Sequence, residues 1–156
     1  MIELRPEVEA DEPFLRHLFT AVRSPEFAML GLPPAQLETM LGMQFNAQRM
    51  QYRGSYPEAE WHIVERGGEA VGRFCVVREP EGWLVVDVAV LPGAQGQGIG
   101  GALLDGLIER AEAEGSDVRL QVRPENPARR LYARKGFVET GMDGIDVAMR
   151  RPAKVS

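Results

Sequence analysis

Residues 91–107 read LPGAQGQGIGGALLDGL, and five glycines precede the point where a regular apolar pattern begins. Glycine loses more conformational freedom on folding than any other residue, so a glycine cluster directly before a helix indicates a special backbone requirement. Backbone N–H groups at a helix N-terminus attract negative charge, and the missing side chains let a bulky anion approach them. The stretch therefore predicts a phosphate-binding loop followed by a helix.

The segment that follows the glycines has the spacing of an amphipathic helix. Its apolar positions recur with a period near 3.6 residues and comprise Ile99, Leu103, Leu104, Leu107, Ile108 and Ala111. Gly115 is placed to end this helix. On the other side of the glycines, residues 83–91 are apolar on both faces except for Asp87, which is typical of a central, buried strand.

The rest of the chain also divides into predicted strands and helices. The predicted strands cover residues 2–5, 61–65, 70–78, 83–91, 118–123, 137–140 and 145–150. Predicted helices begin after Asp11, which is placed to cap the first one, and at Pro33, Ile99 and Pro127. Turns at residues 66–69 and 79–82 predict an antiparallel meander of three strands. We expect one domain over residues 1–156, of mixed α/β (α+β) class. Its mostly antiparallel sheet would have six to seven strands flanked by about four helices.

Composition narrows the possible partners. The net charge is −5, whereas a nucleic-acid-binding domain needs clustered basic residues on a positive surface. No run of about 18 apolar residues exists, so no membrane partner is expected. The one cysteine, Cys75, excludes an internal disulfide and a cysteine-based zinc cluster, and its place in an apolar strand predicts a buried hydrophobic residue. We expect a cytoplasmic protein without a bound metal.

The glycine loop could serve several phosphate ligands. Gly96, Gly98 and Gly101 fit the dinucleotide fingerprint G-x-G-x-x-G. That fingerprint belongs to a βαβ unit, but here an antiparallel meander precedes the loop and Asp117 lies at the wrong end of its strand. The loop also lacks the G-K-[ST] of nucleoside-triphosphate sites. A turn alone would need only one glycine, so a different phosphate ligand is favoured.

Two motifs point to that ligand. The run Gln95-Gly96-Gln97-Gly98-Ile99-Gly100 fits [QR]-x-x-G-x-[GA], and residues 126–137, NPARRLYARKGF, fit N…A-x-x-L-Y…G-F. Together and in this order, they resemble the signatures of the GNAT superfamily of acyl-CoA-dependent N-acyltransferases. The recognisable part of the resemblance spans residues 83–139.

The resemblance implies a role for each matching position. The pyrophosphate of acetyl-CoA would lie among Gln95, Gly96, Gln97, Gly98, Ile99, Gly100 and Gly101. The pantetheine arm would run beside Val88, Ala89 and Val90, where that strand splays from the strand at residues 118–123. The Val90 N–H would then donate to the thioester oxygen as an oxyanion donor, and Tyr132 would sit near the sulfur as general acid. Asn126 would either contact the coenzyme or cap the helix that follows it.

The general base stays open at this stage. Some relatives carry a glutamate where this chain has Gln121, which cannot accept a proton. Asp87 is the tentative base, because a buried acid has a raised pKa; the alternative is a structural acceptor for neighbouring N–H groups. The segment where acceptors would enter offers Tyr56, Glu58, Glu60 and His62. A chain of waters is a further route for the proton.

These observations together predict an N-acetyltransferase. It would move an acetyl group from acetyl-CoA to a primary amine of a small molecule or peptide by direct attack. The rival hypothesis is a non-catalytic module that senses coenzyme A or acyl-CoA, and a third is a nicotinamide-dependent oxidoreductase. The resemblance also makes a homodimer through the C-terminal strands possible.

Overall fold

The predicted order of strands and helices is present in the computed structural model, which describes residues 2–153. The strands are β1 (Ile2–Pro6), β2 (Glu60–Arg66), β3 (Glu69–Glu79), β4 (Gly82–Val90), β5 (Asp117–Val122), β6 (Val138–Asp143) and β7 (Asp146–Arg151). The helices are α1 (Glu12–Phe27), α2 (Pro34–Ser55), α3 (Ile99–Glu114) and α4 (Ala128–Arg134). Most predicted boundaries lie within two residues of the observed ones.

The seven strands form one sheet in the order β1-β2-β3-β4-β5-β7-β6. β1 runs antiparallel to β2, with Ile2 opposite Arg66 and Pro6 opposite His62. β7 runs antiparallel to both β5 and β6, whereas β4 and β5 are parallel. A mixed, mostly antiparallel sheet with four helices confirms the predicted fold class.

The parallel register of β4 with β5 runs from Gly82 opposite Asp117 to Leu84 opposite Arg119. The splay beside Val88–Val90 stays what the resemblance implies.

The chain forms two compact units, of which the first comprises residues up to Cys75 together with Asp87–Ile99. Its core joins α1 and α2 to β2 through Leu15, Phe19, Leu41, Phe45 and Ile63. The rings of Phe19 and Phe45 meet edge to face, with centroids 5.7 Å apart. Burial of each such side chain contributes about 1.5–3 kcal/mol, so this contact fixes α1 against α2.

Asp11 does not cap α1 in the way the sequence suggested. It lies at the N-cap position, but its carboxylate makes no hydrogen bond to the helix. It accepts instead from the Arg5 guanidinium at 2.7 and 2.9 Å and from the Val8 N–H at 2.8 Å. A bidentate pair with arginine is stronger than a neutral cap, and its hydrogen bonds hold the pKa of Asp11 below its usual range.

The second unit comprises Val76–Val86 and the chain from Gly100 onward. The apolar stripe predicted for α3 is buried throughout. Val118, Leu120 and Val122 of β5 are also buried, and the Trp83 indole donates to Glu114 at 3.0 Å. Gly82 has φ +146, and a Cβ there would overlap the Asp117 backbone. Glycine at the start of β4 therefore permits the close pairing of β4 with β5.

Cys75 lies inside β3 with no exposed surface. Burial raises the pKa of its thiol to about 12. The residue is therefore the buried hydrophobic side chain that the sequence predicted. Among residues 2–153, no helix combines the length and apolarity needed to cross a bilayer.

Candidate active site

A cavity of about 170 Å³ lies in the first unit beside the C-terminal half of β4. One part of its wall is apolar and comes from α1, with Leu15, Leu18, Phe19 and Val22. The polar part comes from four different elements and comprises Arg23, Gln48, Arg73 and Asp87. Val88 and Ala89 of β4 complete the lining. The strand predicted to flank the pantetheine thus also borders a cavity with an acid in its wall.

Local geometry explains how these side chains meet. Leu15, Phe19 and Arg23 follow one another at four-residue spacing, so they share one face of α1. Alternate residues of a strand point to the same side of a sheet, which places Asp87 and Ala89 together. The helix therefore supplies apolar contacts and one cation, and the strand supplies the carboxylate.

Asp87 has a raised pKa, chiefly because burial penalises its charged form. The cations of Arg73 and Arg23 and a hydrogen bond from the Val88 N–H oppose this effect. The Arg73 Nη1 lies 3.8 Å from the Asp87 Oδ2. An acid with a raised pKa takes up a proton more readily near neutral pH, which suits a general base.

Arg73 is part of a buried ion cluster behind Asp87. Its side chain is only 4% exposed, and its Nε lies 3.2 Å from the Glu7 Oε1. The other Glu7 oxygen pairs with Arg53 at 3.3 Å. The guanidinium carbon of Arg73 lies 4.4 Å from the centroid of the Trp61 ring. Within residues 2–153, the Nε and Nη2 of Arg73 have no hydrogen-bond partner.

The sequence interpretation missed Arg73 and Arg23. Arg73 had the signal that identified Asp87, because it is a charged residue among apolar ones in the strand segment GRFCVV. Arg23 follows Leu15 and Phe19 at four-residue spacing, so the sequence shows that it lies on their side of α1. The sequence does not show that this side of the helix approaches Asp87.

The glycine loop contains two kinds of glycine. Gly96 and Gly98 have φ +76 and +82, which side-chain-bearing residues rarely adopt, and a Cβ at either position would meet nothing within 4 Å. Gly100 and Gly101 lie in the first turn of α3, where the nearest atoms to an added Cβ belong to Leu131, at 3.7 and 3.8 Å. The loop before α3 thus has an open surface next to helix-terminal N–H groups, which fits a phosphate group.

The two loop glutamines are held by the protein. The Gln95 Nε2 donates to the Val90 carbonyl at 3.0 Å, and the Gln97 Nε2 donates to the Gly93 carbonyl at 3.3 Å. The Gln97 Oε1 also accepts from Arg66. The Gln95 side chain therefore holds the loop to the end of β4, and the Gln97 side chain holds it to Gly93 and Arg66. Ile99, the next apolar residue, is buried in the core. Their contact with a coenzyme stays a prediction.

The end of β4 packs closely on β3. The Leu91 N–H donates to the Val71 carbonyl at 2.8 Å, and a Cβ on Gly72 would overlap the Ala89 carbonyl oxygen. Val88, Ala89 and Val90 are half-buried. Glycine at position 72 therefore permits the strand approach that fixes the backbone predicted to hold the pantetheine and the oxyanion.

Tyr132 and Asn126 belong to the second unit. Tyr132 on α4 is 7% exposed, and its ring lies 6.0 Å from that of Phe137 between centroids. The Asn126 Oδ1 accepts from the Ala128 N–H at 2.9 Å, just before α4. The general-acid role of Tyr132 and a coenzyme contact by Asn126 stay predictions.

The other candidates for the base lie elsewhere. Within the described part of the chain, the cavity lining includes none of Tyr56, Glu58, Glu60 and His62. The Gln121 side chain donates to Asp143, in keeping with a position that accepts no proton. Residues 2–153 also contain no group of three or more histidine, cysteine, aspartate or glutamate side chains placed to hold a metal ion.

Comparison with known proteins identifies relatives of this arrangement. The family model described as "Acetyltransferase (GNAT) family" matches residues 30–137, which is more than half of the chain. No curated protein is similar to the chain in sequence.

Solved structures share the whole fold. The PaiA N-acetyltransferase of Thermoplasma acidophilum, crystallised with coenzyme A, has a TM-score of 0.73 at 16% identity, with 97% of this chain and 99% of that chain covered. The Corynebacterium glutamicum structure of "histone acetyltransferase HPA2 and related acetyltransferase" has a TM-score of 0.71 at 23% identity, with coverages of 99% and 98%. The Escherichia coli ribosomal-protein-S18-alanine N-acetyltransferase has a TM-score of 0.67 at 21% identity, with coverages of 100% and 96%. At these identities the likeness concerns the fold.

Proposed function

This chain belongs to the acetyltransferase (GNAT) family, and we propose that it is an N-acetyltransferase that transfers an acetyl group from acetyl-CoA to a primary amine. The observation that carries the proposal is Asp87, a carboxylate with a raised pKa in the wall of a cavity that Val88 and Ala89 also line. In support of the proposal, Asp87 belongs to β4, the strand to which the family resemblance assigns the thioester.

The glycine loop supports acetyl-CoA as the donor. Gly96 and Gly98 leave open surface before the N-terminus of α3, and backbone N–H groups there would neutralise a pyrophosphate without basic side chains. The fold relative from Thermoplasma acidophilum was crystallised with coenzyme A. When bound, acetyl-CoA supplies an acetyl group activated as a thioester. We take residues 1–156 as one catalytic domain acting in the cytoplasm.

Each step of the transfer has a proposed protein group. Asp87 accepts a proton from the ammonium group of the acceptor, because only the neutral amine is a nucleophile. As the C–N bond forms and the C–S bond breaks, the Val90 N–H donates to the oxygen on which negative charge develops. The departing sulfur takes its proton from the Tyr132 hydroxyl, and the second proton that the nitrogen loses as the amide forms restores that hydroxyl.

Thermal unfolding with single ligands tests the donor. A ligand present at about 100 times its Kd stabilises a protein by about 2.7 kcal/mol, so both acetyl-CoA and coenzyme A should raise Tm while NAD should not. A response to NAD alone would instead favour the oxidoreductase hypothesis. The absence of any shift with either coenzyme A species would contradict the proposed donor.

The Tyr132→Phe variant separates an enzyme from a sensor. In an enzyme it should lower turnover to the acetylated amine while the Tm shift with coenzyme A persists. In a non-catalytic sensor, neither wild type nor variant would form acetylated product with any amine, although both would bind coenzyme A.

A further inference from the structure

The charged groups around the candidate acceptor cavity do not balance. Two guanidiniums, Arg23 and Arg73, face the cavity against one carboxylate, Asp87. The groups behind the wall do not change this excess, because Glu7 is shared between Arg73 and Arg53. A simple alkylammonium would bring a further positive charge into this space. A ligand with both an ammonium and a carboxylate would match the charges already present.

Arg23 is the cation without an ion-pair partner. Its guanidinium carbon lies 5.0 Å from the centroid of the Phe19 ring, which holds it at the cavity. Within residues 2–153, no carboxylate lies within 4.0 Å of it. Arg16, which lies nearer the start of the same helix, differs because it pairs with Glu12 at 3.2 Å and donates to Asn46 at 2.8 Å. Arg23 therefore has its full hydrogen-bonding capacity available to a ligand.

Arg73 gives a second, independent observation. Its side chain is 96% buried, yet its Nη2 has no hydrogen-bond partner within the described chain. A buried polar group without a partner is costly, and native structures seldom leave one unexplained. Arg73 lies beside Glu7 and Asp87, so a carboxylate in the cavity would balance the positive charge that remains in the cluster.

The rest of the wall defines the substituent. Leu15, Leu18, Phe19 and Val22 form an apolar surface on α1. The volume of about 170 Å³ is comparable with a cavity of about 150 Å³ that accommodates benzene. A branched aliphatic or aromatic side chain therefore fits, whereas a long polar chain would leave its polar groups against apolar carbon.

From these contacts we propose that the acceptor is a free α-amino acid with an apolar side chain, held through its carboxylate by Arg23 and through its ammonium by Asp87. The acetylation of this ligand rests on the function proposed above, but its binding does not. The proposal names Arg23 as the residue that distinguishes an amino acid from a simple amine or a peptide N-terminus.

Leucine and two analogues provide the test. Leucinamide keeps the amine and the side chain but has no carboxylate, and 3-methylbutylamine lacks the carboxyl carbon entirely. The amine of leucinamide is less basic than that of leucine, and that of 3-methylbutylamine is more basic, so a difference in amine pKa cannot explain a preference for leucine over both. We expect kcat/KM for leucine to exceed both others at least tenfold. Calorimetry without acetyl-CoA should show leucine binding and no binding of either analogue at the same concentration.

Arg23→Gln should abolish both the higher kcat/KM for leucine and the leucine binding seen by calorimetry. Arg23→Lys keeps the positive charge and should retain part of the kcat/KM preference and part of the binding. Arg16→Gln, the same change on the same helix outside this cavity, should leave the preference intact. A variant with intact coenzyme A binding by thermal shift is taken as folded.

The outcomes separate this proposal from the proposed function. Equal turnover of leucine and its analogues would overturn the amino-acid proposal and leave acetyl transfer to amines standing. Arg23-dependent leucine binding without any acetylated product would support the site and contradict the transfer. Neither binding nor acetylation of leucine would overturn the inference.

Discussion

Asp87 affects stability and proposed activity in opposite directions. Burial raises its pKa, so the folded protein favours the protonated acid more than the unfolded chain does. A group of this kind adds stability below its unfolded pKa of about 3.9, and that stability is lost as the pH rises through the folded value. At neutral pH the buried Asp87 therefore costs folding free energy in the place where a base is needed.

Asp87→Asn should lower kcat/KM by about 10²–10⁴ through loss of the base. It should keep or raise the Tm at pH 7, because the amide has no charge to bury. Product formation and thermal unfolding measured on the same sample check both effects. Asp105→Asn, which removes an exposed ion pair with Lys135, is the matched control and should change kcat/KM and Tm little. Unchanged turnover in Asp87→Asn would leave Asp87 as a structural acceptor.

The ion cluster should tune Asp87 in two directions. The Arg73 cation lowers the pKa of Asp87 and the Glu7 carboxylate raises it. In a plot of kcat/KM against pH, the acid limb should therefore move to higher pH in Arg73→Gln and to lower pH in Glu7→Gln. Arg73→Lys keeps the charge and should leave the limb near its original position. A shift of the same sign in both glutamine variants would contradict this assignment.

At the level of single residues, the sequence identified Asp87 but not its neighbours. A lone acid in an apolar strand stands out without a structure, whereas the approach of Arg23 depends on how α1 packs on the sheet. The position of Asp11 could be predicted and its partner could not, because the pair with Arg5 depends on where β1 lies. Gln95 was expected to face the coenzyme, and only the structure reveals its bond to the Val90 carbonyl.

Among the elements, the close approach of β3 to β4 depends on the glycine at position 72. A Cβ on Gly72 would overlap the Ala89 carbonyl, which is backbone and cannot move aside cheaply. Gly72→Ala should therefore destabilise the fold by about 1–3 kcal/mol and weaken coenzyme A binding, as measured by urea unfolding and ligand titration. Gly106→Ala is the matched control, since a Cβ there meets nothing within 4 Å. It should stabilise α3 by about 0.5–1 kcal/mol. Equal stability of the two variants would contradict the close contact.

Element types could be predicted from the sequence more reliably than element ends. Periodicity identified α3 and its buried stripe, because the same six positions face the core. The helical pattern that follows Pro33 predicts an end near Tyr52, whereas α2 continues to Ser55 and contains both Gly42 and Gly54. α1 continues to Phe27 through Pro25, although proline normally disfavours a helix interior.

At the scale of the molecule, Asp11 in the first unit and Asp117 in the second both have a lowered pKa. Hydrogen bonds from Arg5 lower the pKa of Asp11, and those from Arg150 lower the pKa of Asp117. Groups of this kind stabilise the fold above their unfolded pKa of about 3.9, and the contribution is lost as the pH falls through the lower folded value. Both pairs should therefore weaken in acid, below about pH 4.

Asp11→Asn should cost about 1–2 kcal/mol at pH 7, because it removes charge-assisted hydrogen bonds. The difference from wild type should shrink at pH 2–3, because below the unfolded pKa of about 3.9 protonation of the unfolded chain reduces the stabilisation that ionised Asp11 gives the wild type. Urea unfolding at both pH values measures the two differences. A difference that stays constant between them would show that ionisation of Asp11 contributes nothing to stability.

The order of strands was only partly accessible from the sequence. Local turns predicted the meander of β2, β3 and β4, and the resemblance implied the divergence of β4 from β5. The insertion of β7 between β5 and β6 was not predicted, because it depends on pairing between segments that are distant along the chain. A local hydrophobic pattern indicates that a strand is buried, but it does not predict which strand lies next to it.

The burial of Cys75 has a practical consequence for the chemist. This cysteine is the only one in the sequence. It has no exposed surface, and burial raises the pKa of its thiol to about 12. Maleimides and disulfide dyes should therefore not react with the native protein. A colorimetric reagent for free sulfhydryls should then report only the coenzyme liberated in turnover, with no protein blank. A cysteine engineered onto the surface should likewise be the single point of attachment for a fluorophore or spin label.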